Sequence, residues 1–263
     1  DQIKLFITGG VFDAEVEGEP GVLRMPLDIA QAVCDEAHKL GLRTSAHIES
    51  TEGVEVGLKA GVDTIEHGAP LTDELLKLFK KNGLGNASSL TCTLSPALPF
   101  AVLSPEKTHS THVQKVNGRV VYEGVATATR QALANGIPVG LGTDSACPFV
   151  THYDMWREVV YFQRHTGVTP EFALHTATLK NAQLLGVANE TGSIETGKSA
   201  DFIVLDVNPL DDLCALRNVE QVYMAGKPVK YKAKHLPKID AELDGIMDGL
   251  DNDPFVSEWN IAG

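Results

Sequence analysis

The segment from Gly136 to Ala146 reads Gly-Ile-Pro-Val-Gly-Leu-Gly-Thr-Asp-Ser-Ala, and its alternation predicts a short strand with Asp144 emerging at the carboxyl end. Three other strand-like runs carry a chemically useful side chain: Lys4 within Ile3–Ile7, His47 within Arg43–Ile48, and His67 just beyond Val62–Glu66. Imidazole nitrogen and carboxylate oxygen suit Zn²⁺ and similar divalent ions, and a catalytic site leaves one position open for water. A bound metal lowers the pKa of water from about 16 to about 7, which makes hydroxide available at neutral pH. Asp144 would then take the water's proton and pass it to a leaving amine. Taken singly, each residue has a plainer reading. Asp144 can cap the next segment, a lone strand-end histidine can be a hydrogen-bonded structural group, and Lys4 can be an ion-pair partner. The coincidence of all four favours a metal site.

Such residues converge only if the strands lie side by side and parallel. After the first strand, Val11 to Met25 shows no apolar period and is broken by Gly18, Pro20 and Gly21, which predicts a loop over a site. Helices are predicted over Pro26–Leu40, Thr51–Ala60 and Thr72–Lys81, the first two closed by Gly41 and Gly61. Strand and helix thus alternate at about 20-residue spacing, the mark of a parallel α/β architecture. Leu84–Leu94 is a weaker strand candidate, Ser95–Gly118 is expected to be a long loop or lid, and helices follow over Tyr122–Asn135, Asp154–His165 and Pro170–Leu185. Beyond Gly192 the texture changes to short strands without helices between them, with a hairpin through Ala225-Gly226-Lys227. The acid-rich remainder from Lys234 is expected to be a solvated helix and flexible end.

At 263 residues the chain can bury a sizeable core, and its formal charge of −13 argues against a nucleic-acid surface. Cys34, Cys92, Cys147 and Cys214 lack paired spacing and suit a reducing, cytoplasmic setting. No apolar run approaches the roughly 20 residues needed to cross a bilayer, and the opening residues do not make a signal peptide.

In combination, Ile3-Lys4-Leu5-Phe6-Ile7-Thr8-Gly9-Gly10, Ala46-His47, Glu66-His67-Gly68, Gly142-Thr143-Asp144 and the run from Gly192 to Asp201 resemble the metal-dependent amidohydrolase superfamily, nearest its imidazolonepropionase-like and Xaa-Pro dipeptidase-like enzymes. The resemblance implies a (β/α)₈ TIM-like barrel with a small β-sandwich beside it. It also implies one or two divalent ions, Zn foremost. In that branch the lysine matching Lys4 is commonly carboxylated and bridges two metals. The histidines matching His47 and His67 bind one ion, and the aspartate matching Asp144 binds the other and acts as acid and base. The expected reaction is hydrolysis of a C–N bond in a cyclic amide or dipeptide-like substrate, with hydroxide attacking a carbonyl.

The family's first strand bears a His-x-His pair, and no His-x-His occurs in this sequence. His109 and His112 fall in the loop after the Leu84–Leu94 candidate and do not replace it by position. The expectation is therefore an incomplete barrel, strands four to eight over residues 1–198, with a sandwich segment at 199–232 and an acidic tail at 233–263. A homo-oligomer or a completing chain would satisfy its open edges. One alternative is a single ion held by His47, His67 and Asp144. Another is a catalytically silent scaffold. His152, just past Asp144, is the candidate substrate-binding residue, with Tyr153 and Arg157 as possible contacts for a carboxylate.

Overall fold

A computed structural model describes residues 2–79, 88–230 and 233–256 and divides the chain into two compact units, Asp1–Val139 and Gly140–Gly263. The first contains β1 (Gln2–Phe6), α1 (Leu27–Lys39), β2 (Arg43–Ile48), α2 (Thr51–Ala60), β3 (Thr64–His67), α3 (Asp73–Phe79) and β4 (Ser89–Cys92). The strand-helix alternation predicted from the sequence is present. Parallel pairing sets Phe6 beside His47, and His47 beside Glu66. β3 pairs parallel with β4, and β5 (Val139–Leu141), at the boundary of the units, completes the sheet order β1-β2-β3-β4-β5.

Leu5, Ala46, Ile48, Ile65 and Leu90 are buried and form the sheet's contribution to the core. Helix α1 supplies Ala30, Cys34 and Ala37, spaced for one face. Helix α2 starts where the Ser50 hydroxyl accepts a hydrogen bond from Gly53 N–H and stops at left-handed Gly61. Gly53 has no room for a side chain, since a Cβ there would lie 2.2 Å from Thr8 Cγ2, so α2 approaches the sheet unusually closely. Asp63, in the turn into β3, joins three elements. It accepts from the Thr44 N–H at 2.8 Å and the Thr44 hydroxyl at 3.0 Å, and pairs with His38 Nε2 at 2.9 Å.

The expected lid at 95–118 is not a loop. It contains α4 (Leu98–Val102), α5 (Pro105–Thr108) and the beginning of α6 (His112–Ala134). Pro99 and Pro105 sit in first turns, where their missing N–H costs nothing, and Thr111 with Gln114 forms a reciprocal capping box that starts α6 ten residues ahead of the predicted helix. Residues 84–87 of the Leu84–Leu94 strand and 80–81 of the Thr72–Lys81 helix lie outside the described residues.

The second unit contains α7 (Met155–Thr166), α8 (Pro170–His175), a π-helical turn over Thr176–Lys180 and α9 (Asn181–Leu185). Strands β6 (Phe202–Leu205), β7 (Val219–Met224) and β8 (Lys227–Pro228) form the expected small antiparallel sheet. Thr169 caps α8 as predicted, accepting from Phe172 N–H. The acid-rich remainder departs from the expectation of a solvated helix. Helix α10 (Pro237–Gly249) buries Leu243, Ile246 and Met247, and its acids Asp240 and Asp244 are engaged. Asp244 takes Arg157 on one oxygen at 2.8 Å and Arg217 on the other at 2.9 Å, while Asp240 accepts from the Tyr153 hydroxyl at 2.9 Å. The cause is Arg157, a buried guanidinium stacked over Trp156, which must be neutralised where it lies. Among the described residues, no helix is long and apolar enough to cross a membrane.

Candidate metal centre

His47 occupies the carboxyl end of β2, and its imidazole lies flat on the Phe6 ring of β1, with centroids 4.2 Å apart and planes 6° apart. His67 ends β3. In the ladder it is level with Ile48, whose face is buried, so regular alternation would point it away from His47. The backbone prevents that: His67 has φ +69° and Gly68 φ +85°, and Gly68 N–H is held by the carbonyls of Ile48 and Glu66. A left-handed non-glycine residue costs free energy, and here it turns the imidazole edge-on to His47, with centroids 4.8 Å apart and planes at 72°. Burial, then the neighbouring positive charges of His47 and Lys4, hold the His67 imidazole well below the ordinary histidine range. At neutral pH it is uncharged and presents a lone pair.

A third donor joins them. Glu49, two residues beyond His47, brings its carboxylate into a group in which the ligand atoms of His47, Glu49 and His67 all lie within 4.8 Å of one another. The Glu49 N–H donates to Thr8 Oγ1 at 2.9 Å, and the Val11 N–H donates to Glu49 Oε2 at 3.1 Å. Gly10 leaves space beside them, because a Cβ there would lie 2.7 Å from Glu49 Oε2 and 3.1 Å from His47 Nε2. Two imidazoles and a carboxylate around a cradle that a methyl group would fill fit a divalent cation. Glu49 is not among the four residues expected from the sequence; the spacing His47-x-Glu49 at a strand end, which sends both side chains to the same side, is the signal that marks it.

Glu49 also lines a cleft of about 510 Å³, with the loop from Gly18 to Leu23 on one wall and Gly68, Ala69 and Pro70 on another. The loop over Val11–Met25 therefore does border this site.

Lys4 lies on β1, as the sequence predicts, and is exposed, on the same side of the strand as Gln2 and the half-exposed Phe6. Its charge nonetheless reaches His67. His109 closes α5 in a left-handed conformation, and His112 begins α6 and pairs with Glu17 at 3.3 Å.

In the second unit Asp144 follows β5 and is exposed, with φ +52°. Ala146 and Phe149 are also left-handed, at +87° and +65°. The Cys147 thiol donates to Asp144 Oδ2 at 3.3 Å. β5 is held from within this unit by Asn181, whose side-chain amide accepts from the Leu141 N–H and donates to the Leu141 carbonyl, both at 2.9 Å. His152 is exposed and lines a cleft of about 810 Å³ with Tyr153, Arg157, Arg217 and His235. Tyr153 and Arg157 do contact carboxylates, those of Asp240 and Asp244 in their own chain.

Parallel strands bring the two histidines together at their carboxyl ends, the end at which parallel α/β barrels place their chemistry. Residues 1–229 match the amidohydrolase family model, and the chain belongs to that family. It is 26% identical over 232 residues to the ochratoxinase of Aspergillus niger, covering 87% of this chain and 46% of that protein. It is 27% identical over 212 residues to the imidazolonepropionase of Streptococcus sanguinis, covering 77% of this chain and 44% of that enzyme. Among solved structures, a protein from Bifidobacterium longum provisionally designated a prolidase superposes with a TM-score of 0.87 at 44% identity, over 94% of this chain and 60% of that one. A Xaa-Pro dipeptidase with methionine bound in its active site gives 0.74 at 29% identity, over 88% of this chain and 55% of that one. The chain spans about half the length of the curated relatives it matches.

Proposed function

We propose that this chain carries the metal-binding part of a hydrolase of C–N bonds, acting on a dipeptide-like or cyclic amide substrate, within a (β/α)₈ barrel of which β1 to β5 are part. The observation that carries this reading is the meeting of the His47 and His67 imidazoles at neighbouring strand ends in a chain of the amidohydrolase family. Members of this family generally bind divalent metals, and Zn²⁺ suits these donors. When bound, such an ion supplies Lewis-acid polarisation of a carbonyl and acidifies water.

The chain's own groups have separate roles. His47 and His67 hold the first ion, with Phe6 fixing the plane of one ring and the left-handed backbone fixing the direction of the other. Lys4, carboxylated on its side-chain nitrogen, would serve both ions, and Asp144 the second. Asp144 also accepts the proton of the attacking water at its carboxylate and delivers it to the departing nitrogen. His152 binds the substrate beside that step. Free cysteines at all four positions are consistent with work in a reducing cytoplasm.

The test is metal analysis of the purified protein alongside hydrolysis of Xaa-Pro dipeptides, N-acyl amino acids and cyclic amides. We expect divalent metal to co-purify, activity to vanish with chelation, and Asp144→Asn to lower kcat by about 100-fold or more. Full activity in a metal-free preparation would overturn the reading.

A further inference from the structure

We propose that Glu49 is a protein ligand to the first metal ion, so that the ion is held by a His47, Glu49 and His67 set lying wholly within the first unit. This rests on the metal-hydrolase reading above and extends it, because the family resemblance assigns nothing to Glu49. Four observations point the same way.

Spacing comes first. Glu49 follows His47 by two residues, and the two donor groups reach the same side, where His67 has been turned to meet them. Ligands around a tetrahedral ion with bonds of about 2.1 Å stand about 3.4 Å apart, and the three donor atoms here already lie within 4.8 Å of one another, so small side-chain movements bring them into bonding range. Orientation is second. The Glu49 backbone is tied to Thr8 and one carboxylate oxygen to Val11 N–H, which is the outer support that metal-binding carboxylates ordinarily have. An ionised carboxylate offers about four lone-pair positions, so the Val11 bond does not exhaust it. Space is third. Gly10 abuts both Glu49 Oε2 and His47 Nε2, and any side chain there would occupy the volume the two donors share. Donor type is fourth. Two imidazoles and one carboxylate form a donor set that catalytic zinc sites use, with a further position open to water.

The consequence is a division of labour. Loading of the first ion depends on Glu49 and is independent of Asp144, whose loss removes at most a second ion.

Zinc binding by the full chain, measured by titration calorimetry and metal analysis, and the visible spectrum of the cobalt-loaded protein decide the matter. Glu49→Gln keeps an oxygen for the Val11 bond and is expected to fold with a melting temperature matching the metal-free parent. It should bind zinc about 100-fold more weakly or worse, with a changed cobalt spectrum, because loss of even an outer-shell partner costs 10 to about 100-fold. Gly10→Ala retains all three donors and displaces the carboxylate, so it too should weaken binding. Asp144→Asn should keep one tight equivalent. Parental affinity and an unchanged cobalt spectrum in Glu49→Gln would overturn the proposal. If that variant fails to fold, parental affinity in Gly10→Ala would do the same. Loss of all metal in Asp144→Asn would also refute it. A parent chain that binds no zinc would instead bring down the metal-hydrolase reading itself.

Discussion

Phe6 lies face to face with His47 at 4.2 Å, a contact between neighbouring strands that fixes the plane of an imidazole whose nitrogen faces the candidate metal centre. Phe6 is 53% exposed, so its removal uncovers little core. Phe6→Ala is expected to leave the urea midpoint nearly unchanged while weakening zinc binding by about 10-fold, the lower end of the range for groups that orient a ligand. Parallel zinc titrations and urea melts would separate the two effects.

Asp63 should behave in the opposite way. It is 5% exposed and accepts two hydrogen bonds from Thr44 besides pairing with His38. Asp63→Ala strands buried donors on β2 and should cost about 3 kcal/mol in chemical unfolding. The protein that remains folded should bind zinc as before.

Asn181 occupies the place of a neighbouring strand along β5, bonding both the N–H and the carbonyl of Leu141. Asn181→Leu leaves both without that partner and should cost about 1 to 3 kcal/mol. Because Asp144 lies three residues further on, the same change should lower kcat more than it raises KM, a comparison steady-state kinetics can make.

Acid should loosen the second unit through Asp244. Partial burial raises its pKa, but hydrogen bonds and charge from Arg157 and Arg217 outweigh that and hold it below the ordinary aspartate value. The folded state therefore binds this proton less readily than the unfolded chain. The resulting stabilisation is complete above the unfolded value, near pH 4, and is lost as pH falls through the lower folded value. Asp244→Asn should be less stable than the parent at neutral pH, with the gap narrowing in acid. Urea midpoints from about pH 7 down to about pH 2.5 would show the convergence.

Much of the fold was legible because local signals and tertiary structure agree. Arg43–Ile48 and Thr51–Ala60 fall where their alternation, Ser50 and Gly61 place them. The failures have physical causes. Prolines in the 95–118 stretch suggest a loop, yet a proline in a first turn starts a helix as readily as it breaks one, and the capping box of Thr111 and Gln114 outweighs the loop signal. The acids of the C-terminal helix suggested a solvated face, while their basic partners lie more than 25 residues upstream, beyond any helical period. At the site, His47 was found by its strand position. The turning of His67 depends on a backbone dihedral that no spacing encodes, and Glu49 joins the histidines only through the pairing that sets β2 beside β3.

Asp144, Ala146 and Phe149 hold positive φ within six residues, none of them glycine. Each such conformation stores on the order of 1 kcal/mol that an extended chain would release. The connection after β5 thus resembles a wound spring, kept coiled by its own hydrogen bonds, from Cys147 N–H to the Asp144 carbonyl and from Val150 N–H to the Cys147 carbonyl. Changes at Ala146 would then divide by shape: glycine would relieve the tension, whereas valine or isoleucine would add to it and let the carboxylate swing out of place.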